Sequence, residues 1–246
     1  MNCLVCGTRK TGKSTLALFL ASQWGGTVVI FDPRGSYRGV GIQCPDIDSL
    51  MQHLEDMDYI ENGIPCPLVY HVDADAEKSF ADLCARLFPP RFEGWSGRIA
   101  LIVDESRNLQ SHQFISPTLD RLVGQAPIDD VLVIQTTHEI KEWNSKTKSV
   151  MDEVYLFYQV GPQNYSRIEE LCGTDVADQV QDFAPHSKDD PVLHHYVRYS
   201  FREFFDEGRQ WELCDDPRIW YIPLGAQNRL PGNRDMVPDL DGEVSV

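Results

Sequence analysis

Gly7-Thr8-Arg9-Lys10-Thr11-Gly12-Lys13-Ser14 fits G-x-x-x-x-G-K-[ST], and no other stretch restricts the fold of this chain so tightly. Such a loop works only between a strand and a helix. Asn2 to Cys6 (NCLVC) is short and mostly apolar, as a buried parallel strand is, and Ser14 to Gln23 (STLALFLASQ) reads as an apolar-faced helix stopped before Gly25-Gly26. Successive backbone N–H groups of the loop, with the helix N-terminus behind them, make a nest for the β- and γ-phosphates of a nucleotide. On this reading Gly7, Thr8, Arg9, Lys10, Thr11, Gly12, Lys13, Ser14 and Thr15 form the phosphate cradle. Lys13 reaches the β/γ-phosphates of ATP, and the Ser14 hydroxyl ligates Mg²⁺.

The rest of the chain alternates strand and helix. Thr27 to Phe31 (TVVIF) is a second buried strand and runs into Asp32-Pro33-Arg34-Gly35-Ser36-Tyr37. Asp32, at a strand's carboxyl end, either faces the nucleotide or caps the turn. Helical spacing covers Ile47 to Met57 and Ala76 to Phe88, with a strand at Pro67 to Val72 between them and Pro89-Pro90 as a stop. Ile99 to Val103 (IALIV) is a strong strand ending in Asp104-Glu105, the Walker B pattern. There Asp104 binds Mg²⁺ through water, and Glu105 orients and deprotonates the attacking water.

Ser116-Pro117 reads as N-cap and first helical residue of a helix ending near Gly124. Val131 to Ile134 (VLVI) closes in Gln135-Thr136-Thr137-His138, polar residues at a strand's carboxyl end, where open α/β sheets bind ligands. Gln135 and Thr137 share one face by the period of two and are read as the γ-phosphate sensor. Lys141 to Met151 reads as helix, Val154 to Val160 as a fifth strand, and Gln163 to Leu171 and Val176 to Asp182 as helices. Val192 to Tyr199 looks like a strand, whose His194 and His195 lack the companions of a metal site, and Arg202 to Trp211 is ambiguous. One ATPase domain is therefore expected over 1–214, its core at 2–160, followed by a Pro/Gly/Asp-rich extension, partly mobile, over 215–246.

Charge cuts against one obvious partner. With 22 Lys+Arg against 38 Asp+Glu the formal charge is −16, unlike a passive nucleic-acid coat, although local basic rims remain open. There is no apolar run of about 18 residues to cross a membrane. The first strand begins at residue 2, so no signal peptide is expected and a cytoplasmic location is. Cys3 and Cys6 have C-x-x-C spacing but lie in a strand without a second Cys/His pair, which reads as buried small hydrophobes rather than a zinc or redox site.

The phosphate loop, the strand ending in DPRGSY, then ALIVDES and VLVIQTTH together resemble the HerA–FtsK class of P-loop ATPases. Asp32 to Tyr37 looks like that class's D-x-x-G-E-Y turn with Ser36 in place of Glu, and Asp104 to Asn108 looks like its D-E-A-H-N/R. Thr136-Thr137 stands where the class has Thr-Gln; Gln is displaced to Gln135, and His138 replaces a frequent Arg. The resemblance covers roughly residues 2–160 and, without an extra N-terminal domain, is similar to genome-packaging ATPases of internal-membrane viruses.

It implies a three-layer α/β/α fold with a mainly parallel sheet, catalytic-glutamate type, and the sensor strand between the phosphate-loop and Walker B strands. It also implies a homohexameric ring around double-stranded DNA, with a capsid or virion-membrane protein as a further partner. An arginine finger acts in trans in such rings; Arg121 is the first candidate and Arg107 the second. The function expected is ATP-driven DNA translocation into a capsid. Two alternatives are a morphogenesis or secretion ATPase that ignores DNA, and a small-molecule phosphotransferase, for which Arg86 to Arg91 and Arg98 make no obvious lid.

Overall fold

Strands buried on both faces decide how this chain layers. The computed structural model describes residues 1–61, 64–72, 75–88, 97–125, 130–183, 195–202, 205 and 209–214. In chain order the elements are β1 (Asn2–Cys6), α1 (Lys13–Trp24), β2 (Thr27–Asp32), β3 (Ile42–Cys44) and α2 (Ile47–Asp56), then β4 (Ile60–Glu61), β5 (Ile64–Pro65), β6 (Leu68–His71) and α3 (Ala76–Leu87). There follow β7 (Ile99–Val103), α4 (Pro117–Gln125), β8 (Val131–Thr137), β9 (Glu153–Leu156), α5 (Pro162–Cys172), α6 (Thr174–Gln181), β10 (Tyr196–Ser200) and β11 (Trp211–Cys214). The 9-stranded sheet has the order β11-β10-β9-β1-β8-β7-β2-β6-β3. From β9 to β3 neighbours are parallel, while β10 and β11 join antiparallel at one edge. β4 and β5 pair separately.

Each central strand splits its side chains between two cores. Val5, Ile30, Ala100, Ile102, Leu132 and Ile134 meet α1 through Leu16, Ala17 and Ala21. On the other face Phe31, Leu101, Val103 and Val133 meet Leu50 of α2, Leu83 of α3 and Leu119 of α4. Leu4, Val154 and Leu156 meet Ile168 of α5 and Val176 of α6 there. Burial on both faces explains why the central strands are continuous apolar runs rather than alternating ones. β8 lies between β1 and β7, so this is the three-layer P-loop NTPase fold of the catalytic-glutamate type. Cys3 and Cys6 fall in opposite cores, as buried hydrophobes do, and cannot share a ligand.

Some local expectations fail for physical reasons. Lys141 to Met151 is not an α-helix but two 3₁₀ pieces, Ile140–Glu142 and Ser145–Val150. Between them buried Trp143 takes an extended backbone, and the Asn144 side chain accepts from Lys146 N and donates to Ser111 O, so local side-chain bonds displace the helix ladder. The fifth strand stops at Leu156 rather than Val160, and the main chain beyond it pairs with the phosphate loop instead. Ser116 precedes Pro117 as expected, but its buried hydroxyl makes no hydrogen bond among the described residues; its carbonyl accepts from Asp120 N. The end strand is seen as Tyr196–Ser200, and β3, β4, β5 and β11 were not foreseen. Pro89-Pro90, Arg91, His194 and the 215–246 extension lie outside the described residues.

Candidate active site

The phosphate loop is built between two strands. Gly7 N donates to Thr137 O (3.2 Å) and Thr8 N to Tyr158 O (3.1 Å), so β8 and the segment after β9 hold its first turn. A Cβ on Gly7 would sit 2.6 Å from Phe157 Cβ and 2.8 Å from Thr11 Oγ1, so only glycine fits. Lys10 (φ 65°) and Gly12 (φ 93°) are left-handed, which curls the chain so that neighbouring N–H groups converge. Thr11 Oγ1 (2.9 Å) and Lys13 Nζ (2.7 Å) both donate to Thr8 O. Gly12 O accepts the first helical bond, from Leu16 N. Burial lowers the Lys13 ammonium to about 8, against the pull of Asp104 and Glu105. Arg9 and Lys10 are exposed; Thr15 is buried in α1.

β2 delivers Asp32, and the turn-capping alternative is the one realised. Its carboxylate, 1% exposed, accepts from Arg34 N (3.2 Å), Ser36 N (2.9 Å) and Tyr37 N (2.8 Å), and His71 Nδ1 lies 3.4 Å away. Gly35 (φ 69°) lets the turn close. The turn thereby buries the Tyr37 side chain, its hydroxyl without a hydrogen-bond partner among the described residues, and sets Ser36 and Tyr37 near Asp104.

β7 delivers the two acids in different states. Thr136 Oγ1 donates to Asp104 Oδ1 at 2.7 Å, and Glu105 N donates to Thr136 Oγ1 at 3.1 Å. Burial raises the Asp104 carboxyl above its ordinary value, with Thr136 and Ser36 opposing the shift. Burial pushes Glu105 up too, but His138, Arg107 and Arg34 outweigh it and hold that carboxyl below its ordinary value. Arg107 Nε lies 2.9 Å from Glu105 Oε1, and His138 Nε2 lies 2.9 Å from Oε2. Glu105 itself is left-handed (φ 51°), a conformation that costs a non-glycine residue about 1–2 kcal/mol.

The two residues expected as the β8 sensor are set in different surroundings. Gln135 and Thr137 do share a face, but Gln135 pairs in register with Val103 and Leu4, which belong to the cores opposite α1. Gln135 Oε1 accepts from Gln110 Nε2 (2.7 Å), which also reaches Ser106 Oγ (3.2 Å), so Gln135 supports the Glu105 turn from behind. Thr137 Oγ1 is buried without a hydrogen-bond partner among the described residues. Thr136 and His138 are the β8-end residues that touch the acids. Sequence reasoning missed Thr136, Gln110 and the hold on Glu105; the period of two, started one residue later, pairs Thr136 with His138. Arg107 is at the site, but against Glu105 of its own chain. Arg121 is exposed on α4, near Cys84 of α3, and is not brought to the phosphate loop of its own chain.

Among the described residues no group of three or more His, Cys, Asp or Glu side chains could hold a metal alone. The donors present suit a hard cation that takes its other ligands from phosphate and water: the Ser14 hydroxyl and Asp104, whose buried carboxylate lies near Asp32 and Glu105. The Gly7 cradle and converging amides fit a polyphosphate equally.

No family model and no curated protein matches the sequence. Solved structures do. B204, the DNA-packaging ATPase of Sulfolobus turreted icosahedral virus, superposes with a TM-score of 0.62 at 15% identity over 86% of this chain and 95% of that one. The genome-packaging NTPase B204 of Sulfolobus turreted icosahedral virus 2, in complex with ATP-γS, gives 0.61 at 14% identity over 86% and 95%. VirB4 of Thermoanaerobacter pseudethanolicus gives 0.58 at 11% identity over 89% and 91%. The likeness is one of fold. It extends well past residue 160, to most of the chain. No helix among the described residues is long and apolar enough to cross a membrane.

Proposed function

We propose that this chain is a Mg²⁺-dependent ATPase that translocates double-stranded DNA, as a viral genome-packaging motor does. The observation that carries the ATPase reading is convergence: the phosphate loop, Asp104 on Thr136, and Glu105 on His138 meet at the carboxyl ends of β1, β7 and β8. Lys13 and the loop amides hold the phosphates, with Ser14 at the start of α1 and Asp104 near Lys13. Ser14 and Asp104 would hold Mg²⁺, which would neutralise charge on the phosphates. Glu105, ionised and oriented, takes the proton of the attacking water. Gln135 acts on that turn through Gln110 and Ser106 rather than on phosphate directly.

The DNA-packaging reading rests on the fold shared with B204. In it the subunits form a homohexameric ring with nucleotide between them, Arg121 acts in trans, and a capsid or virion-membrane protein docks the ring. A chain of formal charge −16 must confine its DNA contacts to local basic loops, so DNA stimulation should fade steeply with salt.

The test is steady-state ATP hydrolysis by wild type and Glu105→Gln, with and without double-stranded DNA, across a salt series. DNA-stimulated turnover that fades with salt and drops by about 10²–10⁴ in Glu105→Gln is the expected result. Turnover indifferent to DNA at every salt leaves the ATPase and removes the translocase, favouring a morphogenesis or secretion role. ATP consumption only with an acceptor hydroxyl would make it a phosphotransferase.

A further inference from the structure

Glu105 is held more elaborately than a lone general base needs. Its backbone is left-handed, its N–H is fixed on Thr136, and each carboxylate oxygen faces a different cation-capable group, Oε1 meeting Arg107 as an ion pair without a hydrogen bond. Strain of this kind persists only where surrounding contacts over-determine it. The groups responsible come from two elements: Arg107 from the turn after β7, and His138 from the end of β8.

His138 has little else to do. Its Nε2 is the nitrogen that faces Glu105, which assigns the donor tautomer there, while its Nδ1 is buried with no hydrogen-bond partner among the described residues. A histidine kept for structure would use that second nitrogen on the fold. Its place in the chain also matters, because the preceding carbonyl, Thr137 O, accepts the Gly7 N–H at the start of the phosphate loop. One hydrogen bond and one peptide unit therefore separate the phosphate cradle from the group that holds the base.

We propose that His138, assisted by Arg107, is a positioning residue for Glu105, aiming its carboxylate at the attacking water. The inference rests on the ATPase reading and on Glu105 as base. Arg107 is the lesser partner, since its side chain is 34% exposed against 23% for His138.

The experiment measures kcat and KM for MgATP hydrolysis, nucleotide Kd, and thermal unfolding for wild type, His138→Ala, His138→Gln, Arg107→Gln and Glu105→Gln. Each His138 variant is also made in the Glu105→Gln background. His138→Ala should lower kcat about tenfold or more, a fraction of the about 10²–10⁴ expected of the base itself, with Kd within about twofold of wild type. His138→Gln, which keeps a donor near the Nε2 position, should recover most of that loss. In the Glu105→Gln background the His138 changes should add nothing measurable by single turnover, because the residue acts through Glu105.

Wild-type kcat in His138→Ala overturns the proposal. So does a loss that persists undiminished in the Glu105→Gln background, or one carried by Kd alone. If His138→Ala does not fold, the decision passes to His138→Gln and Arg107→Gln: a kcat loss in Arg107→Gln that vanishes in the Glu105→Gln background supports the hold, and wild-type kcat in both overturns it. Full turnover in Glu105→Gln fails the base reading itself, a result distinct from any His138 outcome.

Discussion

The two ends of the parallel sheet both bury charge, and they do so in opposite ways. At the amino end Asp152 Oδ2 accepts Asn2 N, Arg202 pairs with Asp152, and Glu153 is engaged by Arg198 and by the Tyr155 hydroxyl. Asn2 Nδ2 adds bonds to Val123 O and Val150 O. Acids there meet cations within the same fold, leaving Asn2 Oδ1 and Trp24 Nε1 over. At the carboxyl end Asp104 and Glu105 face one buried ammonium, Lys13, Glu105 is also met by Arg107 and His138, and Asp32 is spent on its own turn, yet Tyr37 Oη, Glu105 Oε1, Gln110 Oε1, Gln135 Nε2, Thr137 Oγ1 and His138 Nδ1 have no hydrogen-bond partner among the described residues. A cavity of about 390 Å³ lies at the amino end, lined by Asn2, Asp152 and Arg202 among others, yet its charges are already matched. Unspent polar valence, not hollow space, separates a site from a seam.

That contrast is broken most forcefully at the amino end. Arg198→Met leaves Glu153, 5% exposed, without its guanidinium. Breaking a fully buried pair costs about 3–5 kcal/mol; Arg198 is 31% exposed, so the expected loss is about 2–3 kcal/mol. Urea unfolding should report that loss while kcat per folded molecule stays at the wild-type value. A kcat change larger than the folded fraction explains would mean that the two ends are coupled.

The next effect is sharper in pH than in mutation. Lys13 sits near about 8 because burial disfavours its charged form, and phosphate binding needs that charge. Above that pH the nucleotide-free protein loses the proton that the complex retains. Affinity should therefore hold below pH 8 and fall about tenfold by pH 9, with proton uptake on binding. For stability the sign is the reverse of a paired lysine: a depressed pKa means a cost present while Lys13 is charged, relieved as pH rises through about 8. Calorimetric titration in two buffers of different ionisation enthalpy measures the uptake; Lys13→Arg should abolish the pH step.

Much of this architecture was legible before any coordinates, and the pattern of failure is physical. β1, β2, β7 and β8 read directly because strands buried on both faces are unbroken apolar runs, and the loop at Gly7 to Ser14 fixes what must flank it. β3, β5 and β11 are short edge pairings whose residues carry no period of their own; their strand state comes from a neighbour. The β8 end shows the same limit at the site. Alternation told that Gln135 and Thr137 share a face, and it could not tell which face meets α1. That choice depends on register against Leu4 and Val103, a tertiary fact, and it moves the contact with the acids to Thr136 and His138.

The smallest prediction tests whether the carboxyl end is built for a ligand at the fold's expense. Burial raises the Asp104 carboxyl, so ionised Asp104 is a cost to the nucleotide-free protein at neutral pH, one that lessens as pH falls through its raised pKa. Asp104→Asn removes the charge and keeps an Oδ1 acceptor for the Thr136 hydroxyl. The variant should be more stable than wild type by about 1 kcal/mol, the ordinary gain when a functional strain is relieved. It should also lose the Mg²⁺ dependence of nucleotide binding. Thermal unfolding with and without Mg²⁺ and a non-hydrolysable ATP analogue reads both effects. At the amino end the matching change, Asp152→Asn, strips Arg202 of its partner and should destabilise instead. Opposite signs for one substitution type at the two ends would show that only the carboxyl end carries charge the fold does not itself need; equal signs would mean that Asp104, like Asp152, is held for structure.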